Sequence, residues 1–254
     1  MVSSPSSRQV QVVRLLAAIF VLAIALTQAL PHYLTGEWAW THPPQVKQLE
    51  QLQALQKQGL TVPDWQPLSQ ETMRLGGHRW SVQQFVAPTP HLPIPQLPTP
   101  QMPTTDMTVV LMLRPQLENT DQPQIDWVNI GSEFGWTADA DRWIEFSAPS
   151  PAGHSTLVQA RFLRYWDHSQ TYAAVQWYAQ SNGGSANASR WFWADQVSQW
   201  RDRQRMPWVA VNLLIPIEPL GELDASRAIA QSLGQTVQST LLATMLPSSN
   251  RLLP

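Results

Sequence analysis

The sequence predicts an α+β protein, in which an N-terminal transmembrane helix precedes one extracytoplasmic domain whose mostly antiparallel sheet is packed by helices. Two observations lead to this prediction. A long uncharged, apolar run lies near the N-terminus, and the rest of the chain alternates β-branched and aromatic segments with segments of helical periodicity. At 254 residues and 43% hydrophobic composition, the chain is long enough to bury one sizeable core.

The apolar run follows two arginines. The 22 residues from Leu15 to Gly36 contain no Asp, Glu, Lys or Arg, and at about 1.5 Å per residue they reach roughly 33 Å, enough to cross a bilayer. The preceding positive charge predicts that residues 1–14 are cytoplasmic and that residues 15–34 form a signal-anchor helix in the plasma membrane. A signal peptide cleaved after Ala29 is the alternative, and it also places the domain outside the cytoplasm.

Residues 35–60 are predicted to form a membrane-proximal segment with one helix. Trp38 and Trp40 follow the apolar run at a position suited to the outer headgroup belt, where Trp is enriched. Residues 45–58 carry apolar side chains with helical spacing, and Gly59 is expected to end that helix.

Residues 61–247 are predicted to form the α+β domain, and residues 248–254 a C-terminal tail. Segments rich in β-branched and aromatic residues predict strands at 79–86, 107–115, 125–130, 142–148, 156–166, 171–180 and 208–218. The polar "DHSQ" between two of them predicts a hairpin. The last strand is apolar on both faces and is therefore expected to be covered on both sides, with Pro216 at a point where the strand leaves the ladder or lies at an edge.

Two helices and one proline-rich segment complete the domain. Asn187 or Ser189 is expected to cap a helix that runs to about Gln204, and a second helix begins near Asp224. The second helix carries an apolar row at four-residue spacing, typical of core packing: Ala225, Ile229, Leu233, Val237, Leu241 and Met245. Residues 88–104 are interpreted as a loop, since seven of the sixteen residues from Pro88 to Pro103 are proline; a docking ligand or spacer in extended conformation is the alternative.

Composition and motifs argue against several kinds of chemistry. The net charge of -2 gives no footprint for nucleic acid, and the absence of cysteine excludes disulfides, thiolate metal sites and cysteine nucleophiles. The six histidines show no metal-ligand spacing and no nucleotide-binding motif occurs, so neither a metal nor another cofactor is predicted. His154-Ser155 is a weak nucleophilic pair because neighbouring side chains rarely meet in extended chain. Four acidic residues could supply the two carboxylates of a glycosidase: Glu133, Asp139, Asp141 and Glu145.

Tryptophan is unusually frequent, with 13 residues. Four of them lie in predicted strands and are assigned to the core: Trp127, Trp143, Trp166 and Trp177. A second set lies beside three arginines around the first C-terminal helix, and Trp and Arg are enriched at interface hot spots. The partner-contact residues predicted from this cluster are Trp191, Trp193, Trp200, Arg201, Arg203 and Arg205. The alternative is a cation–π pair inside the domain, with Arg201 or Arg205 over a ring.

Four long motifs carry a resemblance to a known family: "TGEWAWTHPPQV", "GLTVPDWQ", "GGHRWSVQQF" and "SRWFWADQVSQWRDRQRMPWVAVNLLIPIEPLGEL". Together they resemble the cyanoexosortase B system-associated protein family, from about Thr35 to near Gln238. The resemblance implies a non-catalytic accessory of a polytopic exosortase-type transpeptidase, which sorts proteins with a Pro-Glu-Pro type C-terminal signal, often in cells that make exopolysaccharide. Related families carry His-Ser-Pro and Cys-Pro-Gly segments, whereas this chain has only His154-Ser155, so the resemblance implies no catalytic residue.

Two further functions stay open at the level of sequence. Surface Trp rings could make the domain an exopolysaccharide-binding module, because such rings stack on sugars. The acidic residues between 133 and 145 could make it a glycan-processing enzyme. The partners expected from the resemblance are the membrane and the sorting enzyme or its sorted substrates.

Overall fold

The structure is a computed structural model that describes residues 11, 14–23, 25–27, 44–87, 107–124, 130–166, 169–219 and 221–246. The chain divides into two compact units, residues 1–43 and 44–254. In the first unit residues 14–23 and 25–27 are helical, and the Thr27 hydroxyl donates to the Ala23 carbonyl oxygen at 3.0 Å. Within the described ranges no helix combines the length and the apolar character that crossing a membrane requires.

Several sequence-based predictions fall outside the described residues. They concern the membrane-interface residues Trp38 and Trp40, the strand residue Trp127, the proline-rich segment 88–104 and the tail 248–254. These stay predictions.

The second unit is α+β. Its strands are β1 (Gln45–Val46), β2 (Gln66–Leu75), β3 (His78–Ala87), β4 (Met107–Pro115), β5 (Thr137–Pro149), β6 (Ser155–Trp166), β7 (Thr171–Gln180), β8 (Gly183–Ser185), β9 (Gln204–Arg205) and β10 (Trp208–Ile217). Its helices are α1 (Leu49–Gln58), α2 (Ile130–Phe134), α3 (Ala188–Asp202), a 3-10 turn (Leu223–Ser226) and α4 (Arg227–Thr244).

One eight-stranded sheet in the order β2-β3-β4-β10-β7-β8-β6-β5 forms the centre of this unit. Its pairings are antiparallel except for the short β6–β8 contact, which confirms the predicted mostly antiparallel sheet. The predicted hairpin is also present, with β6 antiparallel to β7. A separate two-stranded parallel pair joins β1 to β9.

Strand β10 lies in the middle of the sheet and is buried from Trp208 to Ile215, as its apolar sequence predicts. It pairs with β7 along its whole length but with β4 only from Val209 to Leu214. Pro216 therefore lies beyond the β4 ladder, where its missing N–H breaks no hydrogen bond on that side.

The two C-terminal helices cover opposite faces of the sheet. Helix α4 packs Leu233, Val237 and Leu241 against one face, together with α1, which confirms the core part of the predicted apolar row. Helix α3 packs Trp191 on the other face. Helix α1 is part of the main core, and it lies in the same compact unit as the sheet, residues 44–254.

Strand β2 was not predicted from the sequence. Nine of its ten residues are not buried, because it is an edge strand that pairs only with β3 among the described strands. Its polar side chains lack the alternation that identifies a half-buried strand. The predicted strand at 125–130 is wrong at its described end, where Ile130 begins the short helix α2.

Candidate functional site: the outer surface of helix α3

Helix α3 has defined ends. The Asn187 side-chain oxygen accepts a hydrogen bond from the Ser189 backbone N–H at 3.0 Å, as expected of an N-cap residue. At the other end Arg203 adopts a left-handed conformation with φ 53°, and its N–H donates to the Gln199 carbonyl oxygen at 3.1 Å. Both ends of the helix are therefore fixed, and the face on which each side chain lies follows from its position in the helix.

The inner side of α3 is held by a buried ion pair. The side chains of Asp195 and Arg205 are 2% and 7% exposed, and Arg205 Nε lies 3.1 and 2.9 Å from the two carboxylate oxygens. Asp195 also accepts hydrogen bonds from Met206 N and Gln199 Nε2, both at 2.7 Å. The Arg205 guanidinium lies 5.3 Å from the Trp191 ring centroid.

These positions correct two of the six predicted contact residues. Trp191 is buried and donates from Nε1 to the Met206 carbonyl oxygen at 3.0 Å, and Arg205 is enclosed by its partners. Both side chains stabilise the attachment of α3 to the domain instead of forming its surface. For Arg205 the alternative interpretation, a cation–π pair inside the domain, is the one that the structure shows.

The outer side of α3 is aromatic and exposed. Trp193, Val197 and Trp200 share one helix face by their spacing of four and three residues, and they are 68%, 59% and 87% exposed. Phe192, also exposed, contacts Trp193 edge-on with 5.4 Å between ring centroids. A contiguous apolar stripe thus faces solvent.

Positive charge lies at the C-terminal end of this stripe. Arg201 and Arg203 are exposed, next to the exposed Asp202. Cations at a helix C-terminus are favourable because the unpaired carbonyl groups carry partial negative charge. We call Trp193, Val197, Trp200, Arg201 and Arg203 the α3 surface.

A cavity of about 620 Å³ runs beside the α3 surface. Trp193, Val197 and Arg201 line its helix side, and Lys47 and His154 are among the residues that line the rest. Its volume lies within the roughly 300–1,000 Å³ range of sites that take small ligands or side chains. The aromatic stripe therefore borders a recess that a partner side chain can enter.

The strand tryptophans differ in their burial. Trp177 is fully buried, as predicted, and its Nε1 donates to Gln238 Oε1 at 2.8 Å. Trp166 is half-buried. Trp143 contradicts the prediction, because it is 58% exposed on the outward face of β5, at the edge of the sheet.

The four acidic residues considered for glycoside hydrolysis are engaged in surface interactions. Asp139 forms a two-pronged pair with Arg164 at 2.7 and 2.8 Å, and this hydrogen bonding lowers the pKa of the Asp139 carboxyl. Asp141 pairs with Arg161 at 2.7 Å. Glu145 accepts from Gln159 Nε2 at 2.5 Å, and Glu133 accepts from the Gly76 N–H at 3.2 Å.

His154 and Ser155 are both exposed; His154 lies in the turn between β5 and β6, and Ser155 is the first residue of β6. The His154 backbone oxygen accepts from the Ser150 N–H at 2.9 Å, and the Ser155 hydroxyl donates to Ala148 O at 3.5 Å. No group of three or more His, Cys, Asp or Glu residues that could hold a metal ion occurs among the residues that the structure describes.

A second buried polar cluster lies on the α3 side of the sheet. Arg114 pairs with Asp121 at 3.2 Å and lies 5.1 Å from the Trp208 ring centroid, and burial lowers the pKa of its guanidinium. Tyr178 donates to Gln124 O at 2.9 Å, and burial raises the pKa of its hydroxyl to about 12. These groups are engaged with one another and act as structural supports of the sheet face.

Sequence reasoning missed Asp195 and Asn119. The Asn119 carbonyl oxygen accepts from Arg205 Nη1 at 2.6 Å, and its side chain accepts from Val46 N at 2.8 Å. Asp195 could have been found, because it lies four residues after Trp191 and thus on the same helix face. Asn119 gives no comparable signal, since it reaches the site through a loop.

Comparison with known proteins adds no relative from which a function could be transferred. No protein-family model matches the chain, and neither a curated protein nor a solved structure matches it.

Proposed function

We propose that this protein is a non-catalytic accessory protein of an exosortase-type protein-sorting system, anchored in the plasma membrane by residues 15–34 and acting outside the cytoplasm. Its partner is the polytopic sorting enzyme or one of the sorted substrates. The motif resemblance supports the system, and the uncharged run from Leu15 to Gly36 supports the anchor.

The single observation that carries the mode of action is the exposed aromatic face of helix α3, which lies opposite the side that packs Trp191 and buries Asp195. Amphipathic helices of soluble domains turn their apolar face inward. Here Trp193 and Trp200 face solvent, while the charged Asp195 is buried. Large exposed apolar patches mark interaction sites, and Trp and Arg are the residues most enriched at interface hot spots.

The proposal is tested by crosslinking in cells, detergent extraction, capture through a C-terminal tag and mass spectrometry of the partners and of the protein's own N-terminus. The wild type should recover a polytopic membrane protein of the sorting system and retain residues 15–34. Replacing Trp200 and Arg201 by Ala together should lower that recovery more than about tenfold, since losing one hot spot worth about 2 kcal/mol already weakens binding roughly 30-fold.

Trp143→Ala is the matched control, because Trp143 is also an exposed Trp but lies on the sheet and not on α3. It should leave recovery of the partner unchanged. The free energy of unfolding of both variants should lie within about 0.5 kcal/mol of the wild-type value, as is usual for surface substitutions. Wild-type recovery by the Trp200 and Arg201 variant, or capture of no polytopic membrane protein by the wild type, would refute the proposal.

A further inference from the structure

The outward face of the β5–β6 pair presents Trp143 among polar side chains. Along β5 the buried residues Ile144 and Phe146 alternate with the exposed Trp143 and Glu145, so the strand has one core face and one solvent face. Trp143 is 58% exposed. The Trp143 ring is therefore not part of the core and is accessible to a ligand.

A chain of planar hydrogen-bonding groups lies beside this ring. Gln159 is directly opposite Glu145 in the ladder and donates from Nε2 to Glu145 Oε1 at 2.5 Å. Arg190, in the first turn of α3, donates from Nη1 to Gln159 Oε1 at 2.6 Å. The three side chains are thereby oriented relative to one another, and two of them project from paired strands, which hold a site more accurately than loops do.

Trp143 and these groups line an open surface cavity of about 260 Å³. Its lining residues are Trp143, Glu145, Gln159, Ser185, Asn187 and Arg190. The volume lies below the roughly 300–1,000 Å³ of pockets for drug-sized ligands, so the cavity suits one ring of a longer molecule.

The geometry points to a carbohydrate-binding subsite in this cavity, for one pyranose ring of a neutral glycan chain. The face of an indole ring is electronegative and attracts the weakly positive C–H groups on the flat side of a pyranose. Gln159, Glu145 and Arg190 can then form hydrogen bonds with the sugar hydroxyl groups, which both donate and accept.

The charges of the cavity favour a neutral sugar over other ligands. Glu145 and Arg190 offset each other, so neither an anionic nor a cationic ligand has a net attraction to this cavity. An apolar protein segment docked over the same residues would bury Glu145 and Arg190 without water, and burying charged groups carries a large desolvation cost. A sugar replaces the lost water with hydroxyl groups. The subsite is separate from the proposed accessory role and does not depend on it.

The test is isothermal titration calorimetry of the full-length protein in a detergent without a sugar headgroup, with cellohexaose, chitohexaose and maltohexaose as probes. At least one probe should bind with a Kd of about 1 mM or lower. Trp143→Ala should weaken that binding at least tenfold, equivalent to about 1.4 kcal/mol. Trp143→Phe keeps an aromatic face and should lose less affinity than Trp143→Ala. Gln159→Ala should weaken binding while the Trp143 ring stays in place.

Trp193→Ala provides the matched control, because Trp193 is an exposed Trp that lines a different cavity. It should leave the Kd unchanged, and thermal unfolding should show that all four variants fold. The subsite is refuted if no probe gives heat at about 10 mM, ten times the expected upper Kd. It is also refuted if Trp143→Ala binds like the wild type, or if Trp193→Ala loses as much affinity as Trp143→Ala.

Discussion

Replacing Asp195 by Ala should destabilise the domain severely, although the residue lies outside the hydrophobic core clusters. The carboxylate is the buried counter-ion of Arg205 and also accepts hydrogen bonds from Met206 N and Gln199 Nε2 at 2.7 Å. Without it the guanidinium keeps, among its contacts with the described residues, the 2.6 Å bond to Asn119 O and its position near the Trp191 ring. Breaking a buried pair by removing one partner costs about 3–5 kcal/mol, because an uncompensated charge stays buried.

The measurement is urea unfolding of the full-length protein near neutral pH, followed by tryptophan fluorescence. The free energy of unfolding for Asp195→Ala should fall by about 3–5 kcal/mol with an unchanged slope against urea, since the surface exposed on unfolding stays the same. Asp195→Asn should lie between this variant and the wild type, because the amide oxygen can still accept from Met206 N while the charge is lost.

Asp202→Ala is the matched control, being an exposed aspartate of the same helix. It should change the free energy of unfolding by no more than about 0.5 kcal/mol. A loss below about 1 kcal/mol for Asp195→Ala would refute the reasoning, because it would mean that Arg205 regains water and that the pair is not enclosed.

Two further predictions concern the protonation of His78 and the backbone conformation at Gly183. Burial, followed by the charge of Arg114, lowers the pKa of His78 below its ordinary 6.5, so as the pH falls through 6.5 the unfolded chain binds more protons than the folded one and folding stability should decrease. His78→Gln should reduce this loss in urea unfolding, and an identical loss in the variant would assign it to other groups. Gly183→Ala should destabilise the domain more than Gly77→Ala. Both glycines have positive φ, a conformation that costs about 1–2 kcal/mol for a residue with a side chain. At Gly183 the new Cβ would also lie 2.4 Å from the carbonyl oxygen of Leu157 in β6, whereas at Gly77 it would meet no atom within 4 Å. Equal losses in thermal unfolding would contradict that contact.

Much of the fold could be predicted because buried helix and strand faces give a periodic pattern of apolar residues in the sequence. The four-residue row of α4 identifies a helix with one face packed against the core, and the two-sided apolar run of β10 identifies a strand that is covered on both faces. Strand β2 escaped prediction because one neighbouring strand and solvent are its main surroundings, and neither imposes an apolar pattern. Trp143 was placed in the core by its residue type, whereas its position on an outward-facing edge strand exposes it.

The sequence predicts which residues of the candidate site share a face of helix α3, but it does not predict which face points to solvent. The spacing of Trp193, Val197 and Trp200 places them on one face, and Trp191 lies about 200° from Trp193 around the helix and so nearly opposite. Periodicity alone does not say which face is covered. The deciding interaction is the pair of Asp195 with Arg205, a residue beyond the end of the helix, and contacts of that kind leave no period in the sequence.

The exposed stripe and the predicted membrane anchor support each other energetically under the proposed function. Trp193 and Trp200 are 68% and 87% exposed, so of about 150–250 Å² per Trp side chain a partner can cover roughly 230–390 Å² in total, and at about 25 cal/mol per Å² this yields roughly 6–10 kcal/mol before any cost. Association of free partners costs about 4–15 kcal/mol in lost translational and rotational freedom, so the stripe alone gives a weak complex. If both proteins are confined to one membrane, part of that loss has already occurred and the effective concentration of the partner is high. A short aromatic surface of this size is then sufficient, and the proposed contact would explain why Trp193 and Trp200 are left in water.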